Sequence, residues 1–227
     1  MAATPSSLAT RYVFGFNTTV AQNCQWVDDQ TVVYIAGYSI VLYNLLDRKQ
    51  RFMHSTGATE GLEGFTCMAL CPSKRFLAVA ERGEKPVVHV FDLKTLRKRK
   101  SIVHDSSLGK CDVVSMEFTN DNDSLVALMG RPDWSIVVWK WQKGKKLLES
   151  KLAEMGAKDG FFHLSLNPVD SETTVALGER LLTLTRLSIE SGEQPMKCNH
   201  AALLENNAKL TAHAWLKEPS DHMVISN

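Results

Sequence analysis

Residues 113–141 read VVSMEFTNDNDSLVALMGRPDWSIVVWKW. Three apolar runs stand out: Val113 to Phe118, Leu125 to Met129 and Ile136 to Trp141. The first two are joined by Asn120-Asp121-Asn122-Asp123, a turn that Asx side chains close themselves. In the last run Trp139 and Trp141 point to one face and Val138 and Lys140 to the other, as side chains alternate along a strand. The unit recurs through the chain. Short apolar strands end on a bulky residue at Trp26, Leu70, Phe118, Leu166 and Trp215, in steps of 44, 48, 48 and 49 residues. A polar turn and a second strand follow each, and the first four units add a third strand and a ragged fourth. A period of about 40–50 residues with four strands per unit predicts β-propeller blades.

The expected fold is therefore all-β: an incomplete propeller of about four and a half blades of four antiparallel strands. The blades are expected at residues 22–54, 64–104, 111–152 and 160–198, with a truncated one at 209–227. Residues 1–10 read as a disordered lead-in and 11–227 as the partial propeller. Tyr12 to Phe16 is expected to form the outer strand of a closing blade. Helical periodicity is confined to Ser150 to Lys158, where Leu152 and Met155 are three apart, too little for a helix.

The chain has 227 residues, 44% hydrophobic and 22% charged, enough for a sizeable core. A formal net charge of +1 predicts neither nucleic acid nor membrane as a partner. Five cysteines, odd in number and scattered mostly through predicted strands, suit buried thiols in a reducing compartment. The N-terminus has no basic segment followed by an apolar one, and Val32 to Tyr43 is too short to cross a bilayer. The expectation is a cytosolic protein or one attached to a cytosolic structure.

Motifs for chemistry are weak, and no cofactor is expected. There is no GxSxG elbow and no phosphate loop ending in Gly-Lys-Ser/Thr. Gly57, Gly61 and Gly64 precede a strand, whereas a phosphate cradle opens a helix. Cys67 and Cys71 lack a matching second pair, so no zinc site is expected. Asp121 and Asp123 lack the glycine of a calcium loop, and Leu125 stands where a ligand belongs. His163 and His213 hold similar places in successive first strands, which suggests a shared structural task. Carboxylate pairs occur only at turns, with nothing to confine them for acid–base work. The chain is read as non-enzymatic.

Phe91-Asp92 closes a third strand where the WD-repeat family has its aromatic–Asp pair, and Tyr43-Asn44 and Trp139-Lys140 are degenerate versions. Cys67-Met68-Ala69-Leu70-Cys71-Pro72-Ser73 resembles that family's strand-then-turn pattern. A narrower resemblance covers nearly the whole chain. Tyr12-Val13-Phe14-Gly15, Asp28-Asp29-Gln30-Thr31, Lys49-Gln50-Arg51-Phe52, Lys85-Pro86-Val87, Arg97-Lys98-Arg99-Lys100 and Ala212-His213-Ala214-Trp215 fall in one order. In that order they resemble the N-terminal WD-repeat part of the cilia- and flagella-associated protein 57 family. The resemblance implies a scaffold of the ciliary or flagellar axoneme that helps place inner dynein arms and their regulators on doublet microtubules. It implies axonemal dynein-regulatory components and tubulin as partners, and a longer parent chain that supplies the remaining blades. Two other readings compete: a general cytosolic interaction module unrelated to cilia, and a small hydrolase or metal enzyme on an all-β frame.

The candidate partner-binding residues are basic. Arg48, Lys49 and Arg51, then Arg97, Lys98, Arg99 and Lys100, then Lys143, Lys145 and Lys146 recur at or just past the turn from third to fourth strand. Asp28-Asp29, Asp121 with Asp123, and Asp170 with Glu172 recur at the turn from first to second strand. The expected surface is an outer basic arc around an inner acidic zone. Cations on an outer strand also discourage edge-to-edge pairing, and that reading competes with docking to an acidic partner.

Overall fold

The computed structural model describes residues 10–54, 63–105, 111–132, 134–152, 160–187, 196–201 as backbone, 209–218 and 222–226. The expected lead-in up to residue 9, Gly57, Gly61, most of the Ser150 to Lys158 stretch and the turn Pro219-Ser220-Asp221 lie outside these residues.

Every described element is a strand. Blade one holds β1 (Gln25–Trp26), β2 (Thr31–Ala36), β3 (Ser39–Asn44) and β4 (Gln50–His54). Blade two holds β5 (Gly64–Leu70), β6 (Phe76–Arg82), β7 (Val87–Asp92) and β8 (Arg97–Val103). Blade three holds β9 (Val113–Phe118), β10 (Ser124–Met129), β11 (Ser135–Lys140) and β12 (Lys145–Lys151). Blade four holds β13 (Phe161–Leu166), β14 (Thr173–Gly178), β15 (Leu182–Arg186) and β16 (Met196–Ala201). A two-stranded unit of β17 (Ala212–Trp215) and β18 (Met223–Ser226) follows. Each sheet is an antiparallel meander in chain order, the architecture of an incomplete β-propeller.

The second strands show why these sheets stack. Val33 and Ile35 of β2 share a core cluster with Leu77 and Val79 of β6. The alternate residues Ala78 and Ala80 turn the other way, onto Leu125 and Ala127 of β10. Val126 and Leu128 then meet Leu164 and Ala176 of blade four, and Val175 and Leu177 meet Leu210 and Trp215. Both faces of β6, β10 and β14 are thus buried, so these strands read as continuous apolar runs. Burying one such leucine or phenylalanine stabilises the fold by about 1.5–3 kcal/mol.

The first strands β5, β9 and β13 lie side by side toward the axis. A first strand has one edge without a strand partner in its own sheet, and its backbone groups need other partners. The preceding blade supplies them. Gln25 Oε1 accepts from the Leu70 N–H at 3.1 Å, and Cys67 Sγ donates to the Val113 carbonyl at 3.5 Å. Ser115 Oγ accepts from the Leu164 N–H at 3.1 Å, and Glu117 Oε2 from the Leu166 N–H at 2.7 Å. The turns between first and second strands are also tied across blades. The Ser73 N–H donates to Asn122 Oδ1 at 2.9 Å, and the Asn120 side-chain amide to the Pro168 carbonyl at 2.7 Å.

The segment Tyr12 to Phe16 forms no strand, contrary to expectation. It is held to blade one by a side chain: the Val13 N–H donates to Gln50 Oε1 at 2.8 Å, and Gln50 Nε2 to the Val13 carbonyl at 3.1 Å. Its alternating aromatics gave the pattern of a strand, but a glutamine amide satisfies the backbone that a neighbouring strand would have satisfied.

Candidate functional site

In a four-stranded meander the first and third hairpins emerge at the same end of the sheet. The acidic turns of blades one, three and four and the basic turns of blades one to three therefore emerge at the same end of their sheets. The third hairpin has the same backbone in three blades: Arg48, Leu96 and Gly144, spaced by 48, adopt left-handed φ of 54°, 56° and 66°. At Gly144 a Cβ would lie 2.7 Å from Lys100 Cε, so the Lys100 side chain crosses from blade two onto the hairpin of blade three. The second and third basic clusters are thus in contact.

In blades one and two the last residue of the third strand organises the hairpin. Asn44 Oδ1 accepts from the Leu46 and Asp47 N–H groups at 3.0 and 3.1 Å. Asp92 Oδ1 accepts from the Lys94 and Thr95 N–H groups at the same distances. Asp92 also accepts two bonds from the Arg99 guanidinium at 2.8 and 3.2 Å and sits 3.5 Å from Arg75. The Arg99 bonds hold its carboxyl down to about 2, helped by the two backbone N–H groups and opposed by burial.

In blade three the equivalent residue is Lys140. It cannot accept, and instead donates to Asp123 at 2.6 Å across the first turn. In blade four Arg186 faces Glu172 at 3.7 Å. The ladders make these positions equivalent: Asp92, Lys140 and Arg186 each pair with the first residue of their second strand. The pair Arg75–Asp92 is therefore the sign-reversed counterpart of Asp123–Lys140 and Glu172–Arg186.

Not all ten basic residues are equally available. Lys49 lies 3.6 Å from Asp47, Arg99 is spent on buried Asp92, and Lys146 pairs with Glu149. Arg48, Arg51, Arg97, Lys143 and Lys145 are exposed, and Lys98 and Lys100 are half-buried. Arg11 joins the first cluster, lining with Arg51, Lys49 and Asp47 a groove of about 410 Å³. Nothing in the sequence pattern pointed to Arg11, because only the fold brings it beside residues 47–51.

The acidic turns are closed as expected. Asp28 Oδ1 accepts from the Gln30 N–H at 2.8 Å, which lowers the Asp28 pKa. Asp121 Oδ1 accepts from the Asp123 N–H at 2.9 Å. Asp170 Oδ1 accepts from the Glu172 N–H at 3.0 Å.

Two features of the axis were missed or only half seen. Glu117 is a carboxylate away from any turn; burial raises its pKa to about 7, against the pull of the Leu166 N–H. No motif singles it out in the sequence, because its partner, the Leu166 N–H, lies 49 residues on. His163 and His213 lie against each other with ring centroids 5.1 Å apart, and His213 Nε2 bonds Ser165 Oγ. Burial, and to a lesser degree the neighbouring His163, pushes His213 down to about 4. Among the described residues no group of three or more His, Cys, Asp or Glu is arranged to hold a metal ion, and no helix is long and apolar enough to cross a membrane.

The profile of the CFAP43 N-terminal domain family matches residues 12–215. Cilia- and flagella-associated protein 57 C of Tetrahymena thermophila is 28% identical over 186 residues, covering 78% of this chain. Cilia- and flagella-associated protein 57 of Mus musculus is 27% identical over 217 residues, covering 94% of this chain. Cilia- and flagella-associated protein 44 of the same species is 24% identical over 190 residues, covering 81%. The matched region spans 14%, 16% and 10% of those three relatives.

Proposed function

Because this chain belongs to the CFAP43 N-terminal domain family, we propose that it is a non-enzymatic scaffold segment of the ciliary or flagellar axoneme. It helps to place inner dynein arms and their regulators on doublet microtubules, and its direct contact is the basic end of blades one to three. The observation that carries this reading is the meeting of the second and third clusters through Lys100 and Gly144. Contiguous cations steer an acidic partner at long range, whereas isolated surface charges are screened within about 10 Å at ordinary salt. The acidic surface of tubulin has the chemistry this end selects. The relatives' names, which associate them with cilia and flagella, support the location.

Microtubule co-sedimentation at low and moderate salt tests the contact. Reversing the charge of Arg48 and Arg51, of Arg97 and Lys98, and of Lys143 and Lys145 together is expected to abolish pelleting. Unchanged pelleting would leave these cations as guards of the outer strand edges only. The tagged protein is expected along the axoneme, and a diffuse cytosolic signal would refute the ciliary assignment.

A further inference from the structure

We propose that Ser101 is a phosphorylation site whose modification switches off the basic end of blade two; the switch rests on the docking role given above. Ser101 directly follows Arg97-Lys98-Arg99-Lys100. It lies on β8, the outermost strand of its sheet, which among the described residues pairs with β7 alone. Exposure alternates along β8, and Ser101 is exposed, as Arg97 and Arg99 are.

The hydroxyl is also backed by a buried polar line. Ser101 Oγ is 2.9 Å from His89 Nδ1, and His89 Nε2 is 3.2 Å from Glu81 Oε2. The His89 and Glu81 side chains are each only 5% exposed. Hydroxyl, imidazole and carboxylate in series suggest a nucleophile and base. Here, however, the hydroxyl stands on an open strand rather than in a confined site where a base is tuned for the work. The same line suits the reception of an anion. A charged His89 has a donor at each ring nitrogen and can bond a phosphate oxygen and Glu81 together.

A protein kinase that selects basic residues before serine would supply the group from ATP. Ser101 Oγ attacks the γ-phosphorus, and the bond from that phosphorus to the bridging oxygen breaks. ADP leaves, and the serine proton passes to the kinase's base. The product carries a charge of about −1.5 to −2 beside four cations, so the local formal charge falls from about +4 to about +2. Its oxygens offer charge-assisted acceptors to neighbouring cations of the cluster that would otherwise face the partner.

The test incubates the intact chain with ATP and the cyclic-AMP-dependent kinase catalytic subunit. The site is read by tandem mass spectrometry, beside Ser101→Ala and a synthetic peptide of residues 95–104. Phosphate on Ser101 of the folded chain, lost in Ser101→Ala, is the expected result. Modification of the peptide but not of the folded chain would overturn the site. The phosphorylated chain is then expected to bind microtubules, and poly-glutamate as a simpler acidic probe, about tenfold more weakly at low salt. Unchanged binding, where reversal of Arg97 and Lys98 does weaken it, overturns the switch. If charge reversal itself has no effect, the docking role fails while the modification is still judged by mass.

Discussion

At the scale of single residues, the chain stores its constraints in hairpins and at the axis. Gly144 has φ 66° and a lysine carbon where its Cβ would be. Gly144→Ala is expected to lower stability by about 1–2 kcal/mol in urea unfolding. Adding Lys100→Ala should recover the steric part but not the backbone part, as a double-mutant cycle would read. Glu117 gives a second prediction with a definite sign. Its pKa is raised from 4.5 to about 7, so the folded state keeps its proton to higher pH than the unfolded one. Stability from this residue therefore falls as pH rises from about 4.5 to about 7, and the full penalty applies above that. Glu117→Gln keeps an oxygen for the Leu166 N–H and removes the charge. Its melting temperature is expected to exceed that of the parent by roughly 3–6 °C at pH 8, with the gap shrinking toward pH 5. The aligned ends Asn44, Asp92 and Lys140 were legible in the sequence. What Lys140 does was not, because its meaning depends on Asp123 having taken the opposite sign across the turn.

At the scale of elements, period and alternation carried the reading well wherever both faces of a strand are buried. Strands β6, β10 and β14 are apolar for the reason the repeat implied: each is covered by a blade on either side. The reading failed at Tyr12 to Phe16, where an alternating pattern is met by a side-chain amide, a partner invisible to periodicity. That attachment predicts a result. Gln50→Ala removes both bonds to Val13, along with a bond to Tyr34 Oη at 3.2 Å. Trypsin is then expected to cut after Arg11 several times faster under native conditions, with the far-UV spectrum unchanged. An unchanged rate would mean that aromatic contacts alone hold the segment. The basic clusters were legible as sequence, but their differing availability was not. Arg99 is committed to a carboxylate seven residues away, and Arg11 joins from far along the chain.

At the scale of the whole molecule, the outward face of blade one differs from the faces buried between blades. Where blade two presents Leu77, Val79 and Phe91, blade one presents Val32, Tyr34 and Tyr43. The Tyr12 to Phe16 segment lies over part of it, with Phe14 89% exposed. An uncovered apolar surface of this kind drives association. The chain is expected to show concentration-dependent self-association in sedimentation velocity, reduced in Phe14→Ser. A single species at all concentrations would show that tyrosine hydroxyls keep this face adequately hydrated.

Four side chains of the inner strands tie successive blades in one direction. Gln25, Cys67, Ser115 and Glu117 each reach forward to the main chain of the blade that comes next. A ring built from such ties has a polarity, like a zipper with a starting end. A polypeptide leaving the ribosome completes each sheet with its donors and acceptors already facing the stretch still to be made. Assembly can therefore proceed in step with synthesis, and a lesion at one tie should stall everything downstream while leaving the earlier sheets intact.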